Sequence, residues 1–187
     1  MEIYLETERL LLRRFTVHDV DNLVLLDGDP EVMRYLSGGA PTPRDVIERE
    51  TLPRFFSYYE RGDRYGTWAA IEKTTGAFLG RFIFRPLQDT SPDVFDLGFR
   101  LCRAAWGQGY ATEGSLALVR KGFTELGVRR VTASALAANV ASRRVMEKAG
   151  LTRVGTHRSA HPERFGGQDP EVFVYALTRE AWERTQR

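Results

Sequence analysis

Cysteine is almost absent from this chain of 187 residues, which contains only Cys102. A single cysteine cannot close an intrachain disulfide, so the sequence is compatible with a reducing compartment. Cys102 stands at the end of a strand pattern, and no histidine lies at a spacing that would pair with it as the base of a nucleophile. We interpret Cys102 as a small buried residue.

Long apolar runs are missing as well, and the N-terminal segment MEIYLETERL carries charge from its second residue. This pattern fits neither a signal peptide nor a membrane span, so the sequence predicts a cytoplasmic protein without a membrane partner. The formal net charge is only +2. No basic cluster with interleaved aromatic residues is present, and the sequence therefore predicts no binding of nucleic acid.

Three familiar binding motifs are also missing. There is no Gly-Lys-Ser/Thr for a nucleoside-triphosphate loop, and the three-glycine dinucleotide fingerprint would need a glycine where Thr112 stands. His157 and His161 are four residues apart, as metal ligands on a helix can be, but Pro162 and the nearby glycines predict strand and loop. Because no third ligand occurs at a readable spacing, we expect no metal site.

Hydrophobic residues make up 42% of the chain and aromatic residues 11%, which is sufficient for one sizeable core. No linker divides the chain, so we expect a single domain over residues 1–187. The patterns predict a strand over residues 9–15, two helices, a hairpin around residues 73–77 and a βαβαββ series, which together indicate an α/β fold on a mixed sheet. Local signals predict capping boxes at Thr16 and Thr42, a helix kinked at Pro53, and a polar loop over residues 86–92.

The most informative stretch joins a predicted strand to a predicted helix through Gly107 and Gly109. Residues 94–102 alternate as a half-buried strand does, and apolar residues recur at helical spacing from Leu116 to Leu126. Glycines at a helix start allow the backbone to come close to a ligand, and the first helical N–H groups lack intrahelical partners. These donors and the helix dipole suit a phosphate or pyrophosphate. The alternative is a tight connection that binds nothing.

This loop resembles the acyl-CoA pyrophosphate site of the GNAT N-acetyltransferase superfamily, whose pattern is Gln/Arg-x-x-Gly-x-Gly/Ala. Gly109 and Ala111 match the last two fixed positions, whereas Trp106 stands where Gln or Arg is usual. The form Trp-Gly-x-Gly-x-Ala-Thr-Glu is similar to the branch that contains the ribosomal-protein N-terminal alanine acetyltransferases. Other segments similar to that branch are residues 7–13 (TERLLLR), residues 29–33 (DPEVM), Asn139 with Ser142, and residues 147–151 (EKAGL).

The resemblance implies the GNAT fold, a single domain with a mixed, largely antiparallel sheet that is splayed at the two strands flanking the loop. It also implies acetyl-CoA as the acyl donor and no metal. The pantetheine arm would lie in the gap and pair with the backbone near Arg100, Leu101 and Cys102. The implied cofactor-binding residues are these three and Gly107, Gln108, Gly109, Tyr110, Ala111, Thr112, Asn139 and Ser142.

Acetyl transfer to an amine requires a base, because the attacking amine must be neutral. The candidates are Asp96, Glu113, His157, His161, Glu163 and Glu171. We prefer Asp96, which points away from the apolar face of its strand and matches the position where several GNAT enzymes carry a catalytic glutamate. Its shorter side chain implies an intervening water molecule. The alternative is a structural pair between Asp96 and an arginine across the sheet.

The leaving thiolate must be stabilised or protonated. Where many GNAT enzymes carry a tyrosine acid, this chain has Met146, which cannot donate a proton. Ser142 matches the serine that the ribosomal-protein branch places to hydrogen-bond the thiolate, so the resemblance implies a catalytic role for it. Ser142 and Asn139 are also ordinary residues for a helix start, and both interpretations stay open.

The resemblance implies a primary amine as acceptor, on a protein N-terminus or a small molecule, that attacks the thioester directly. Tyr58 and Tyr59 belong to the segment that lines the acceptor side in GNAT enzymes and are therefore candidate substrate contacts; as a pattern alone, their aromatic cluster is typical of core packing. Whether the protein forms a homodimer is left open. The alternative function is an acyl-CoA-binding module without catalysis, in line with Met146 and the short Asp96 side chain.

Overall fold

One sheet of eight strands organises the residues that the computed structural model describes, which are 2–62, 66–88 and 91–186. The strands are β1 (Ile3–Glu6), β2 (Leu10–Arg14), β3 (Thr67–Glu72), β4 (Phe78–Gln88), β5 (Ser91–Leu101), β6 (Arg130–Leu136), β7 (Thr152–Arg158) and β8 (Glu171–Thr178). They lie in the order β1-β2-β3-β4-β5-β6-β8-β7. All neighbours are antiparallel except β5 and β6, which confirms the predicted mixed, largely antiparallel sheet.

Helices cover both faces of this sheet. They are α1 (Val20–Gly28), α2 (Pro30–Ser37), α3 (Arg44–Val46), α4 (Leu52–Glu60), α5 (Tyr110–Thr124), α6 (Val140–Lys148) and α7 (Arg179–Thr185). The main core includes buried residues of α5 and α6, and a second cluster joins Leu23 of α1 and Phe55 of α4 to Ala69 of β3. In the described part of the chain, none of these helices combines the length and the apolar character that a membrane span requires.

The sheet opens between β5 and β6. These parallel strands pair only from Val94 to Asp96 on β5 and from Arg130 to Thr132 on β6. Beyond that point β5 stays paired with β4 and β6 stays paired with β8, so each strand keeps one partner while the two separate. The predicted splay at the strands that flank the glycine loop is confirmed.

Two glycines let α5 lie very close to β4, next to this opening. A Cβ at Gly114 would come within 2.4 Å of the Phe82 ring, and one at Gly122 within 2.6 Å of the Phe84 ring. The aromatic rings of β4 therefore occupy the space that larger side chains on α5 would need. This contact fixes the start of α5, and with it the glycine loop, against the centre of the sheet.

Most local predictions agree with the structure, and three do not. The Thr16 capping box is present, but Thr42 does not cap its helix; the N-cap position is Pro43, and the Thr42 N–H bonds to Asp27 O at 2.9 Å. Instead of a polar loop over residues 86–92, β4 continues to Gln88 and β5 begins at Ser91. The third difference is β1, which was not predicted because its four residues are too few to show a periodic pattern. A π-helical turn at Ile47–Thr51 lies just before Pro53, where a kink was expected.

Candidate functional site

The gap between β5 and β6 leads into a cavity of about 830 Å³. The glycine loop, α5 and α6 form one side of this cavity, and α2 with the connection from β7 to β8 forms the other. Leu97 and Phe99 line it from one face of the sheet, whereas Gly98 and Arg100 line it from the opposite face. The cavity therefore passes through the sheet, and two molecules can meet in it from opposite sides.

The glycine loop has the backbone conformation that was predicted for a phosphate site. Gly107 and Gly109 have φ angles of 74° and 85°, in the left-handed region that favours glycine. Gly109 is the N-cap of α5, and the Glu113 N–H makes the helix's hydrogen bond back to Gly109 O at 3.0 Å. The N–H groups before Glu113 are thus at the start of a 15-residue helix, where no intrahelical acceptor exists for them.

A buttress formed by Thr7, Arg9 and Glu113 holds this loop from behind. Glu113 accepts hydrogen bonds from the Thr7 hydroxyl at 2.5 Å, the Arg9 N–H at 2.9 Å and Arg9 Nε at 2.7 Å. Arg9 Nη1 donates to Gln108 O at 3.0 Å, and the guanidinium lies 4.4 Å from the centroid of the Tyr110 ring. The loop is therefore tied to the connection between β1 and β2 by charge-assisted hydrogen bonds.

This arrangement removes Glu113 from the candidate bases. Burial raises its pKa, but the hydrogen bonds from Thr7 and Arg9 outweigh that effect and lower the pKa overall. Its carboxylate stays ionised and is occupied by three donors. Sequence analysis missed the role of Arg9, although Thr7 and Arg9 belong to one of the segments that carry the family resemblance.

The other residues of the loop differ in whether they line the cavity. Tyr110 and Thr112 line the cavity together with Gly107, Gly109 and Ala111. The Tyr110 hydroxyl donates to the Glu72 carboxylate, a bond that raises the pKa of the phenol. Gln108 does not line the cavity; its side-chain amide donates to Ala104 O at 2.7 Å. A cofactor contact of Gln108 is therefore restricted to its backbone N–H.

The backbone groups that β5 presents to the gap belong to residues that alternate with Arg100 and Cys102, two of the residues predicted to pair with the cofactor. The Cys102 N–H bonds to Leu79 O at 2.8 Å, toward β4, whereas Phe95 O accepts from Thr132 on β6 at 3.1 Å. Because successive residues of a strand direct their backbone groups to opposite sides, Leu97 and Phe99 present theirs to the gap. The backbone groups of Arg100 and Cys102 therefore point toward β4, and the cofactor contacts predicted for them at the gap are corrected to Leu97 and Phe99. Leu101 faces the gap, with its carbonyl bonded to the Trp106 indole at 2.8 Å.

Ser142 and Asn139 both line the cavity at the start of α6. The Asn139 side chain accepts from the Ser142 N–H at 3.1 Å, which confirms its role as N-cap. The Ser142 hydroxyl has no hydrogen-bond partner among residues 2–62, 66–88 and 91–186, so it is available to a ligand. Met146, one helical turn further on, is buried and also lines the cavity.

Asp96 lies at the closed end of the gap. Its neighbours across the sheet are Arg85 on β4 and Thr132 on β6. Asp96 does not line the cavity, but Gly98, on the same face of the strand and two residues further on, does. Burial raises the pKa of Asp96, and Arg85 only partly opposes this. A raised pKa makes the carboxylate a stronger proton acceptor.

The two predicted substrate tyrosines lie outside the cavity lining. The Tyr58 ring lies 4.9 Å from the guanidinium carbon of Arg85. Tyr59 is held in the core, where its hydroxyl accepts from the Phe15 N–H at 3.0 Å and donates to Thr67 O. Burial raises the pKa of Tyr59. The predicted substrate contact of Tyr59 is therefore corrected to core packing, and Tyr58 is placed beside Arg85.

Among the remaining candidate bases, only His161 lines the cavity. Its Nδ1 lies 3.1 Å from Glu163 Oε1, and hydrogen bonds from the Glu163 backbone and from His161 lower the pKa of Glu163. His157 is exposed and bonds to the neighbouring backbone. Glu171 begins β8, opposite Arg158. His161 is thus the alternative to Asp96. In the described ranges, no group of three or more potential ligands is arranged to hold a metal ion.

The charged floor of the cavity was not predicted from the sequence. Asp27 of α1 is buried and pairs with Arg100 Nη1 at 2.5 Å and with Arg81 Nη2 at 3.6 Å. Both arginines line the cavity on the face opposite α5. These residues come from three distant segments, so no local spacing indicates the cluster.

We expect that the change Arg9→Met weakens binding of acetyl-CoA, the ligand that the loop's resemblance implies. Without its guanidinium, the loop loses its bonds to Gln108 O and Glu113 and samples more conformations when it is free. Because Arg9 is partly exposed, we expect the dissociation constant to rise only about 10-fold. Calorimetry on purified protein measures it. The control is Arg179→Met, which breaks the Arg179–Glu183 pair on α7; equal affinities in the two variants would contradict the buttress.

The sequence and the fold are similar to known acetyltransferases. Residues 9–152 match the acetyltransferase (GNAT) domain family. The FsC-acetyl coenzyme A-N(2)-transacetylase of Aspergillus fumigatus is 36% identical over 169 residues, which are 87% of this chain and 70% of that protein. YnaD of Bacillus subtilis, an uncharacterised N-acetyltransferase, is 26% identical over 180 residues, which are 96% of this chain and 99% of that protein.

Solved structures show the same fold. A GNAT-family acetyltransferase from Bacillus anthracis has a TM-score of 0.76 and 26% identity, with 96% of this chain and 99% of that chain covered. A Vibrio cholerae protein provisionally assigned as a ribosomal-protein-serine acetyltransferase has a TM-score of 0.73 at 18% identity, with 95% of this chain and 99% of that chain covered. At that identity the second likeness is one of fold alone.

Proposed function

Because the chain belongs to the GNAT acetyltransferase family and is an acetyl-CoA-dependent N-acetyltransferase, we propose that a primary amine attacks the acetyl thioester directly within the cavity between β5 and β6. The observation that carries this proposal is the passage of one cavity through the sheet, from the glycine loop on one side to α2 and Arg81 on the other. Donor and acceptor can then enter from opposite faces and meet at the gap.

The cofactor side fits coenzyme A in its charge and in its hydrogen bonding. The N–H groups at the start of α5 suit a pyrophosphate, and Arg144 and Lys148 of α6 add positive charge to the same cavity. The backbone groups that Leu97 and Phe99 present to the gap suit the amide groups of a pantetheine arm. Acetyl-CoA supplies an activated acyl group there, and the residues of this chain bind and orient it.

For the proton that the amine must lose, we assign Asp96, acting through a water molecule at the Gly98 position. Asp96 lies on the acceptor face of β5 two positions before Gly98, which is a rise of about 7 Å along the strand. An amine at Gly98 is then beyond the direct reach of the short Asp96 side chain, and a bridging water relays the proton. His161 is the alternative base, because its ring lines the cavity.

For the leaving thiolate, we assign the Ser142 hydroxyl as hydrogen-bond donor. Met146 lines the same wall and offers no proton, whereas Ser142 lines the cavity at the start of α6 with a hydroxyl that can donate. A hydroxyl that strengthens its bond as negative charge develops lowers the barrier more than it tightens substrate binding.

Two kinds of acceptor are compatible with this proposal: protein N-termini and small amines. The segments similar to the ribosomal-protein branch favour a protein N-terminus. The Aspergillus relative is named a transacetylase at an N(2) nitrogen, and a nitrogen with an atom number favours a small molecule. Both classes are primary amines in this proposal, and they share the proposed route.

The proposal is tested with a panel of amines and peptides, with release of the CoA thiol as readout and mass spectrometry of the product. We expect thiol release that depends on both acetyl-CoA and an amine, with a mass increase of one acetyl group on that amine. Tight acetyl-CoA binding without acetylation of any amine would instead favour the acyl-CoA-binding module.

Ser142→Ala should reduce kcat while the affinity for acetyl-CoA changes little. The loss of one donor to a developing negative charge costs about 10- to 1,000-fold in rate. Steady-state kinetics with saturating acetyl-CoA measure kcat, and calorimetry measures affinity. Ser57→Ala on α4 is the control, because Ser57 also lies in a helix and bonds only to backbone. Unchanged kcat in the Ser142 variant, with a lower melting temperature, would reduce Ser142 to a helix-start residue.

A further inference from the structure

The floor of the cavity on the acceptor face contains a charge cluster of Asp27, Arg81 and Arg100. Arg81 Nη2 lies 3.6 Å from Asp27 Oδ2, and Arg100 Nη1 lies 2.5 Å from Asp27 Oδ1. The side chain of Asp27 is 3% exposed, that of Arg81 9% and that of Arg100 17%. Two guanidinium groups and one carboxylate therefore share a nearly buried site with a net charge of +1.

Arg81 is the incompletely paired member of this cluster. Arg100 donates a short hydrogen bond to Asp27, whereas the Arg81 side chain makes no hydrogen bond to any described residue and has the long ion pair and a contact with the Phe55 ring, 5.4 Å from its centroid. Burial lowers the pKa of Arg81 to about 9, and the positive charges of Arg100 and Arg54 add to this effect while Asp27 opposes it. The guanidinium is still charged at neutral pH, so it is a buried cation with unused donors.

These unused donors face the ligand cavity. Arg81 and Arg100 are cross-strand neighbours on β4 and β5, and both line the cavity beside Gly98 and Ile83. Asp27 lies behind them and does not line the cavity. A ligand that enters from the acceptor face therefore meets the two cations and not the carboxylate.

The other charged residues that line the cavity are mostly cationic. Of the described residues that line it, one is a carboxylate, Glu31, which lies 3.6 Å from Arg34. The cationic residues that line it are Arg34, Arg81, Arg100, Arg144, Lys148 and Arg164. Arg144 and Lys148 lie on α6 with the cofactor side, but Arg164 faces the acceptor side. Such a site disfavours a polycation and attracts an anion.

We propose that the acceptor is an amine that also carries a carboxylate, and that Arg81 and Arg100 bind this carboxylate while the amine lies at the gap. This inference rests on the proposed function and adds the chemical class of its acceptor. A guanidinium pair with free donors matches a carboxylate in both charge and geometry. The carboxylate of the acceptor would be the close negative partner that the Arg81 guanidinium lacks.

The test compares amines that differ only in this group. The assay compares glycine, β-alanine, γ-aminobutyrate and the L-amino acids with their primary amides. Spermidine is included as a polycation. Peptides that begin with Asp or Glu provide a second source of carboxylate. We expect at least one acid to be acetylated with a kcat/KM about 10- to 100-fold above that of its amide. The peptide arm shows whether the carboxylate belongs to a free amino acid or to an N-terminal acidic residue.

Variants connect this preference to the cluster. Arg81→Gln should bring the acid-to-amide ratio of kcat/KM close to one and leave the KM for acetyl-CoA unchanged, and Arg81→Lys should keep part of the ratio because it keeps the charge. Arg179→Gln on α7 is the control. If the Arg81 variants do not fold, the acid-to-amide comparison on the unmodified protein still decides.

Two results overturn the proposal. The first is that the amides or spermidine react as well as the acids, so that there is no preference for a carboxylate. The second is that no amine with a carboxylate reacts at all. If neutral amines react in either case, the acetyltransferase function stands and only the acceptor class is wrong. If acetyl-CoA yields thiol with none of the amines, the proposed function itself fails.

Discussion

A Gly109→Val protein is expected to fold and to lose acetyl-CoA binding. Residue 109 has a φ of 85°, a conformation that is strained for any residue with a Cβ and most of all for a β-branched one. A Cβ here would lie 3.4 Å from Arg9 Nη2, so valine pushes against the buttress as well. The loop must shift and take the first N–H groups of α5 out of position, and we expect the dissociation constant to rise by about 100-fold or more.

The control for this variant is Gly127→Val. Gly127 follows α5 with a φ of 67°, and a Cβ there would meet nothing within 4 Å. Both substitutions thus introduce the same backbone strain, but only one lies at the loop. We expect similar losses in melting temperature and a loss of acetyl-CoA affinity only for Gly109→Val, measured by calorimetry. Unchanged affinity in a folded Gly109→Val protein would place the pyrophosphate elsewhere.

Asp96→Asn is expected to lower turnover by about 100- to 10,000-fold near neutral pH, the contribution of a positioned general base. The variant keeps the size of the side chain and removes the proton acceptor, so acetyl-CoA binding should persist. As pH falls through the raised pKa of Asp96, the unmodified enzyme should lose activity, and the variant should lack this step. At high pH the amine is already neutral, and the difference between the two proteins should shrink.

The measurement is kcat/KM against pH for both proteins, with the amine that the panel identifies. Asp93→Asn is the control, because Asp93 lies on the same strand three positions further from the opening than Asp96. Equal pH profiles for the Asp96 variant and the unmodified enzyme would move the base to His161.

Stability provides an independent test of Asp96. Its pKa is higher in the folded than in the unfolded chain, so the folded state holds this proton more tightly. The free energy of unfolding contributed by Asp96 is therefore greatest below the unfolded-state pKa and falls as pH rises toward the folded-state pKa. Above the folded-state pKa the ionised carboxylate is destabilising, and Asp96→Asn should melt there at the same or a higher temperature. A clear decrease would indicate a structural pair with Arg85.

The sequence alone determined the elements whose signals are local. The alternation before Gly107 and the helical spacing after Gly109 predicted the strand, the loop and α5, because each pattern repeats within a few residues. The N-caps Thr16 and Asn139 were predicted for the same reason, since a cap bonds to a backbone group only two or three positions away. The family resemblance added the splayed sheet, which no local pattern contains.

The tertiary structure alone decided which charged groups meet. Arg9 reaches Glu113 across 104 positions, and Arg100 reaches Asp27 across 73. Such pairs follow from the order of strands and the packing of helices, and the spacing of residues along the chain carries no record of them. The structure also decided that Leu97 and Phe99 face the gap, because this depends on which edge of β5 is bonded to β4. Sequence periodicity distinguishes the two faces of a strand, but its two edges are distinguished only by the neighbours that the fold supplies.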